Sequence, residues 1–157
     1  MNKYIYLLVL GVICVSCSQS KQTFLESEDA YFGLTPPGLV SEVFAPGIVS
    51  DTSWRGNCQL AISPHGDEIY WSRFATGVTE QIYFSKFTNS KWTKPSLVDF
   101  VKDDLNLING QPTFSPDGHK LFFYSRNRPG GFGYIDAWYV ERTDDGWSKP
   151  INAGEPY

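Results

Sequence analysis

The chain has 157 residues, 41% of them hydrophobic and 16% aromatic, with a formal net charge of −4 at neutral pH. That is enough apolar material for one domain-sized core. So mild an acidity leaves no electrostatic footprint for nucleic acid, and no cluster of Lys and Arg suggests a polybasic membrane patch.

The N-terminus reads as a targeting segment. Lys3 gives a short positive start, and Tyr4 to Val15 is an apolar run too short to cross a bilayer as a helix. Val15-Ser16-Cys17 resembles a bacterial lipoprotein cleavage site, with a small residue directly before a cysteine that would be lipidated and become the mature N-terminus. It departs at Cys14, where such sites usually carry Leu. Processing would leave Cys58 as the single thiol and no internal disulfide. Cys58 opens the apolar run Cys58-Gln59-Leu60-Ala61-Ile62 and reads as a small buried hydrophobe. Residues 18–30 read as a polar tether holding a domain away from a lipid surface.

Past the tether, Val40-Ser41-Glu42-Val43-Phe44 alternates with period two and stops at Ala45-Pro46-Gly47, which predicts one leading strand. A first unit follows, with strands expected at Gln59–Ile62, Glu68–Arg73, Gln81–Phe87 and Lys91–Leu97. A second unit repeats the order at Gln111–Phe114, Lys120–Ser125, Tyr134–Glu141 and Trp147–Asn152. Between them lie the turn residues Ser63-Pro64-His65-Gly66, Ala75-Thr76-Gly77, Thr88-Asn89-Ser90 and, in the second unit, Ser115-Pro116-Asp117-Gly118, Arg126 to Gly133 and Thr143-Asp144-Asp145-Gly146. No segment sustains a helical period, so the fold class expected is all-β.

The two units are copies of each other. Ser63-Pro64-His65-Gly66 returns as Ser115-Pro116-Asp117-Gly118, 115 − 63 = 52 positions later. Lys91-Trp92-Thr93-Lys94-Pro95 returns as Gly146-Trp147-Ser148-Lys149-Pro150, 147 − 92 = 55 positions later, so the second copy is about three residues longer between its landmarks. Four short strands with a period of about 50 are what one β-propeller blade looks like. Pro95 and Pro150 suit an outer edge strand, where no backbone donor is needed. Trp92 and Trp147 are expected to cap the outside of an inter-blade core.

Gln111-Pro112-Thr113-Phe114-Ser115-Pro116-Asp117-Gly118, Leu121-Phe122-Phe123, Ser125-Arg126, Gly130-Gly131, Asp136-Ala137-Trp138 and Gly146 to Pro150 together resemble the WD-repeat-like blade of TolB-type periplasmic proteins. The second unit matches along nearly its whole length. The first is a degenerate copy, with His65 where the pattern has Asp. Pro37-Gly38 through Val49 also resembles the lead-in strand of exported lipoproteins of this kind. The resemblance implies a closed ring of about six blades, so residues 31–157 are expected to be an incomplete β-propeller: a leading strand and two four-stranded antiparallel blades, about 58–97 and 111–152. The sequence is accordingly expected to be a fragment.

In such a meander the loops between second and third strands and the blade-to-blade connectors share one face, which is the expected binding surface. It makes Arg73, Arg126, Arg128 and Tyr134 the candidate ligand-binding residues. Asp117 reads as a turn residue, and Asp136 as a buried structural carboxylate. Gly130-Gly131-Phe132-Gly133 reads as a hairpin loop without a following helix. His65 and His119 are expected on the opposite face and apart, and Asp103, Asp104, Asn106 and Asn109 lack a calcium-binding spacing, so no metal and no cofactor is assigned. The function expected is a cell-envelope lipoprotein, anchored by its lipid, that binds or scaffolds a protein or glycan, with no catalytic residues assigned. The alternative is the propeller domain of an exported carbohydrate-active enzyme or peptidase.

Overall fold

The computed structural model describes residues 23–36, 38–50, 57–74 and 79–154. The targeting segment, Cys17, the connector 51–56, the Ala75-Thr76-Gly77 turn and the Cys58 side chain lie outside that description. The fold is all-β, made of two antiparallel sheets of the same layout.

In the first sheet, β1 (Asn57–Ile62), β2 (Glu68–Phe74) and β3 (Glu80–Thr88) form a meander, with the short strands β4 (Lys91–Trp92) and β5 (Ser96–Leu97) both paired to β3. The second repeats this with β6 (Ile108–Phe114), β7 (Lys120–Arg126), β8 (Ile135–Thr143), β9 (Gly146–Trp147) and β10 (Ile151–Asn152). The expected three-residue surplus falls in one loop: β7 to β8 advances 135 − 126 = 9 positions, β2 to β3 only 80 − 74 = 6.

The fourth lane of each sheet is broken in two, where one continuous strand was expected. At the break, the Lys86 N–H is met by the Thr93 hydroxyl at 3.0 Å and the Glu141 N–H by the Ser148 hydroxyl at 3.0 Å, in place of a main-chain carbonyl. Pro95 and Pro150 follow two residues on with no donor to resume the ladder.

Gln59 and Gln111 occupy equivalent positions, 111 − 59 = 52, and both have positive φ, 27° and 54°. Each sits where the register of its strand slips against the next one. The slip is a β-bulge, the usual place for such a conformation. From its bulge Gln59 donates to the Thr113 hydroxyl of the second sheet at 2.7 Å, stitching β1 to β6.

The sheets stack face to face. Alternation along β2 sends Ile69 and Trp71 one way and Tyr70 and Ser72 the other. Tyr70 and Ile82 pack on Leu121, Phe123, Trp138 and Val140 of the second sheet, forming the main core with Val98, Phe100 and Val101. Ile69 and Trp71 pack on Ala45, Val49, Phe32 and Phe44 from the segment before β1. Leu121 and Phe123 are the repeat equivalents of Ile69 and Trp71. The same face is therefore covered in both units, once by the N-terminal segment and once by the first sheet.

Two expectations are corrected here. Val40–Phe44 forms no strand: Val40 and Val43 are 75% and 69% exposed, and the only pairing nearby is an isolated bridge between Pro46 and Ser50. No neighbouring strand is offered to it among the described residues, and alternation without a partner does not make a ladder. The tether expected to reach residue 30 is packed from Phe24 onward. Phe24 lies 4.9 Å from Phe87, Ala30 is buried, and Phe32 lies 4.6 Å from Trp92. Tyr31, Phe32 and Gly33 are consecutive left-handed residues, a turn that costs about 1–2 kcal/mol per non-glycine residue. Half-buried Phe32 packs against Trp71 and Trp92, an aromatic contact that works against that cost.

Tyr70 and Phe122 are repeat equivalents in opposite environments, 2% and 36% exposed. Tyr70→Ala is expected to lower stability by about 3–5 kcal/mol and Phe122→Ala by about 1 kcal/mol or less, measured by denaturant unfolding.

Candidate functional site

The predicted binding residues lie at the loop end of the sheets, and two of them are held in the packing. Arg73 is buried with its guanidinium 5.1 Å from the centre of the Tyr83 ring. Arg128 donates from Nη2 to Asn109 Oδ1 at 2.9 Å and from Nε to the Ser125 hydroxyl at 3.2 Å. Asn109 in turn donates to Gln81 Oε1 at 3.1 Å, and Gln81 donates to the Leu107 carbonyl at 2.7 Å. This chain of bonds ties β3, the connector, β6 and the β7–β8 loop together. Burial pulls the Arg128 guanidinium below its ordinary pKa, against the opposing charges of Asp104 and Asp103.

Tyr134 remains at the surface, 60% exposed, and the half-buried Arg126 holds its guanidinium 5.0 Å from the ring centre with its Nε buried. They form a cation–π pair. Asp136 is only half-buried, where a buried carboxylate was expected. Both its oxygens accept from the Gly133 N–H at 3.1 Å, and a Cβ at Gly131 would clash with the carboxylate. It shapes the hairpin loop.

At the opposite end the two Ser-Pro-x-Gly turns are built alike. Gly118 N–H bonds the Ser115 carbonyl at 2.9 Å, and Gly66 N–H bonds the Ser63 carbonyl at 2.8 Å. Both glycines take positive φ, 72° and 84°. Asp117 accepts from the Ser115 hydroxyl at 2.6 Å and the His119 N–H at 3.0 Å. Those two bonds, the hydroxyl's first, hold its carboxyl below the ordinary aspartate range. In the first unit Asp67 replaces it, accepting from the Ser63 hydroxyl at 2.9 Å, which explains how His65 can stand where the repeat has Asp.

The two turns abut, so the expectation that His65 and His119 lie apart is corrected: both line one small cavity of about 180 Å³ with Asp67 and Asp117. A Cβ at Gly118 would lie 3.2 Å from Pro64 Cδ, which measures the closeness. Among the described residues, no group of three or more His, Cys, Asp or Glu could hold a metal ion.

Next to this cavity a cleft of about 560 Å³ opens between the outer margins of the sheets. That size lies within the range of small-molecule sites, about 300–1,000 Å³. Its aromatic walls are Tyr70, Phe84 and Trp147. Tyr70 and Phe84 stack at 5.4 Å and 20°, and the Trp147 indole donates to the Tyr70 hydroxyl at 2.9 Å. Burial raises the Tyr70 pKa, helped by the neighbouring Glu68 charge, so the hydroxyl stays protonated at neutral pH.

The inner end of the cleft is a bidentate ion pair across the two sheets: Arg142 Nη1 and Nη2 reach Glu68 Oε1 and Oε2 at 3.1 and 2.8 Å. The Arg142 guanidinium also lies 4.0 Å from the centre of the Trp147 ring. Burial pulls the Arg142 pKa down, but its hydrogen bonds to Glu68 and that carboxylate's charge overcome this and leave it above the ordinary value. Sequence reading passed over this pair, because its members lie 74 positions apart and neither recurs in the other unit. The register opposite Glu68 holds Lys86, whereas in the second unit Lys120 faces Glu141 at 3.3 Å, so the cross-strand charges are swapped between the units.

No protein-family model and no curated protein sequence matches the chain.

With side-chain exposures of 12% and 31%, the Glu68–Arg142 pair is shielded but not dry. Glu68→Gln and Arg142→Met are each expected to cost about 1–3 kcal/mol in stability. The double variant is expected to fall short of their sum by about 1 kcal/mol, read by denaturant unfolding; full additivity would mean the pair couples nothing.

Proposed function

We propose that this chain belongs to an exported, lipid-anchored β-propeller of the WD-like, TolB type that serves as a binding or scaffolding module of the cell envelope. The observation that carries the reading is the stacking equivalence of the two units. The second sheet sits on the first with the face that, in the first sheet, is itself covered by an earlier layer. Stacking of this head-to-tail kind is heterologous, and it closes into a ring when the rotation per step divides a full turn, as in a propeller. The repeated Ser-Pro-x-Gly turns and Trp-x-Lys-Pro corners support the family resemblance, since both copies use them for the same bonds.

The outer face of the second sheet is the seat of a further unit. There Phe122 and Tyr139 pair at 5.7 Å, as their equivalents Tyr70 and Phe84 pair at 5.4 Å beneath Trp147. Cys17 is the proposed lipid attachment point, and the ligand is an envelope protein or glycan held on the propeller surface. Tyr134 is the predicted ligand residue best placed for this, because it is exposed, with the half-buried Arg126 against its ring.

Radiolabelled palmitate is expected to enter the wild-type protein in a Gram-negative host and to be absent from the Cys17→Ala variant; equal labelling of both would overturn the anchor. The chain is expected to bind an apolar dye through its outer face. The double substitution Phe122→Lys, Tyr139→Thr is expected to cut dye fluorescence several-fold, and an unchanged signal would argue against the seat of a further unit.

A further inference from the structure

We propose that the cleft between the outer margins of the two sheets is a binding site for a neutral, hydroxyl-rich saccharide of one or two rings. The proposal deepens the binding-module reading by naming a ligand class and a place for it, and it stands apart from export and from the number of units.

The equivalent corner one layer earlier is filled by the chain itself. There Phe24 packs against Phe87 at 4.9 Å and Trp92 at 6.2 Å. In the second unit Phe87 becomes Arg142 and Trp92 becomes Trp147, and the corner is open as the cleft. What replaces an apolar plug is therefore a mixed surface, with an aromatic floor and polar walls.

The chemistry of the walls selects the ligand. Arg142 and Glu68 satisfy each other, so the inner end demands no net charge. The rim carries Lys86 from the first sheet, Asp99 just after β5, which pairs with Lys102, and Asp145 from the β8–β9 turn, all exposed, together with Thr93 and Ser96. A polyanion would meet Asp99 and Asp145, and a cation would meet Lys86. A sugar hydroxyl both donates and accepts, so it can serve a rim made of one cation, two carboxylates and two hydroxyls. The half-buried Phe84 and Trp147 rings, backed by the buried Tyr70, offer an apolar surface for the C–H face of a pyranose.

The test is titration of the full chain with cellobiose, maltose and the N-acetylglucosamine disaccharide, following the indole N–H resonance of Trp147 by NMR. A saturable shift with at least one of them is expected, weakened about tenfold in Lys86→Ala and in Asp145→Ala, the worth of a hydrogen bond to a charged group. Both substitutions are at exposed positions, so the fold is preserved, and an unchanged amide spectrum elsewhere confirms it. No saturable shift with any of the three sugars overturns the proposal. So does a shift that both rim substitutions leave intact, or saturation by a Phe-Glu dipeptide where the sugars give none. Palmitate labelling and dye binding are unaffected by any of these results, so the failure of this site and the failure of the broader reading are distinguishable.

Discussion

The indole of each repeated corner reaches back to the layer before it, and the architecture depends on that contact. Trp147 Nε1 donates to the Tyr70 hydroxyl of the first sheet, and Trp92 Nε1 donates to the Asp29 carbonyl of the N-terminal segment at 2.7 Å. A large ring with one polar atom fills the margin between layers and still satisfies its N–H, which a phenylalanine could not do. Without those contacts each sheet would present an uncompensated apolar face, because a meander of this size cannot bury both sides alone.

The two ends of the stack divide the polar work. At the loop end a chain of amides and one guanidinium ties strand to connector, and it uses up Arg128 in doing so. Nearby, Tyr124 donates to the buried Glu80 carboxylate, and Gly110 lets the β6 backbone approach that carboxylate so closely that a Cβ would clash with it. At the turn end the polar groups instead border open space, with Glu68 and Arg142 lying between the small cavity of the histidines and the larger cleft. Among the described residues, interlocked polar bonds gather at one end and the cavity and cleft at the other.

Much of the strand order was legible because it is written in local chemistry. Ser-Pro-x-Gly specifies a turn, Trp-x-Lys-Pro specifies a corner, and period-two alternation between them specifies strands. Less legible was whatever depended on a neighbour. Val40–Phe44 alternates as a strand does, but alternation says nothing about whether a partner lies alongside. Residues 23–30 read as a tether because Thr23, Glu26, Ser27, Glu28 and Asp29 dominate their composition, while the single ring of Phe24 decides how they pack. The candidate site was least legible. Arg73 and Arg128 carry no local mark of burial, and the Glu68–Arg142 pair breaks the repeat at both of its positions, so self-similarity pointed away from it.

The swapped charges of the two units bear on how such a stack could have grown. Glu68 faces Lys86 in the first sheet, and Lys120 faces Glu141 in the second. If the second unit were duplicated in tandem, Arg142 of the new copy would descend on Lys120 of the old one, cation on cation at a shielded margin. The units are thus no longer interchangeable. The second unit is matched to the first at this margin, and a tandem copy of it would lack the carboxylate that its arginine needs.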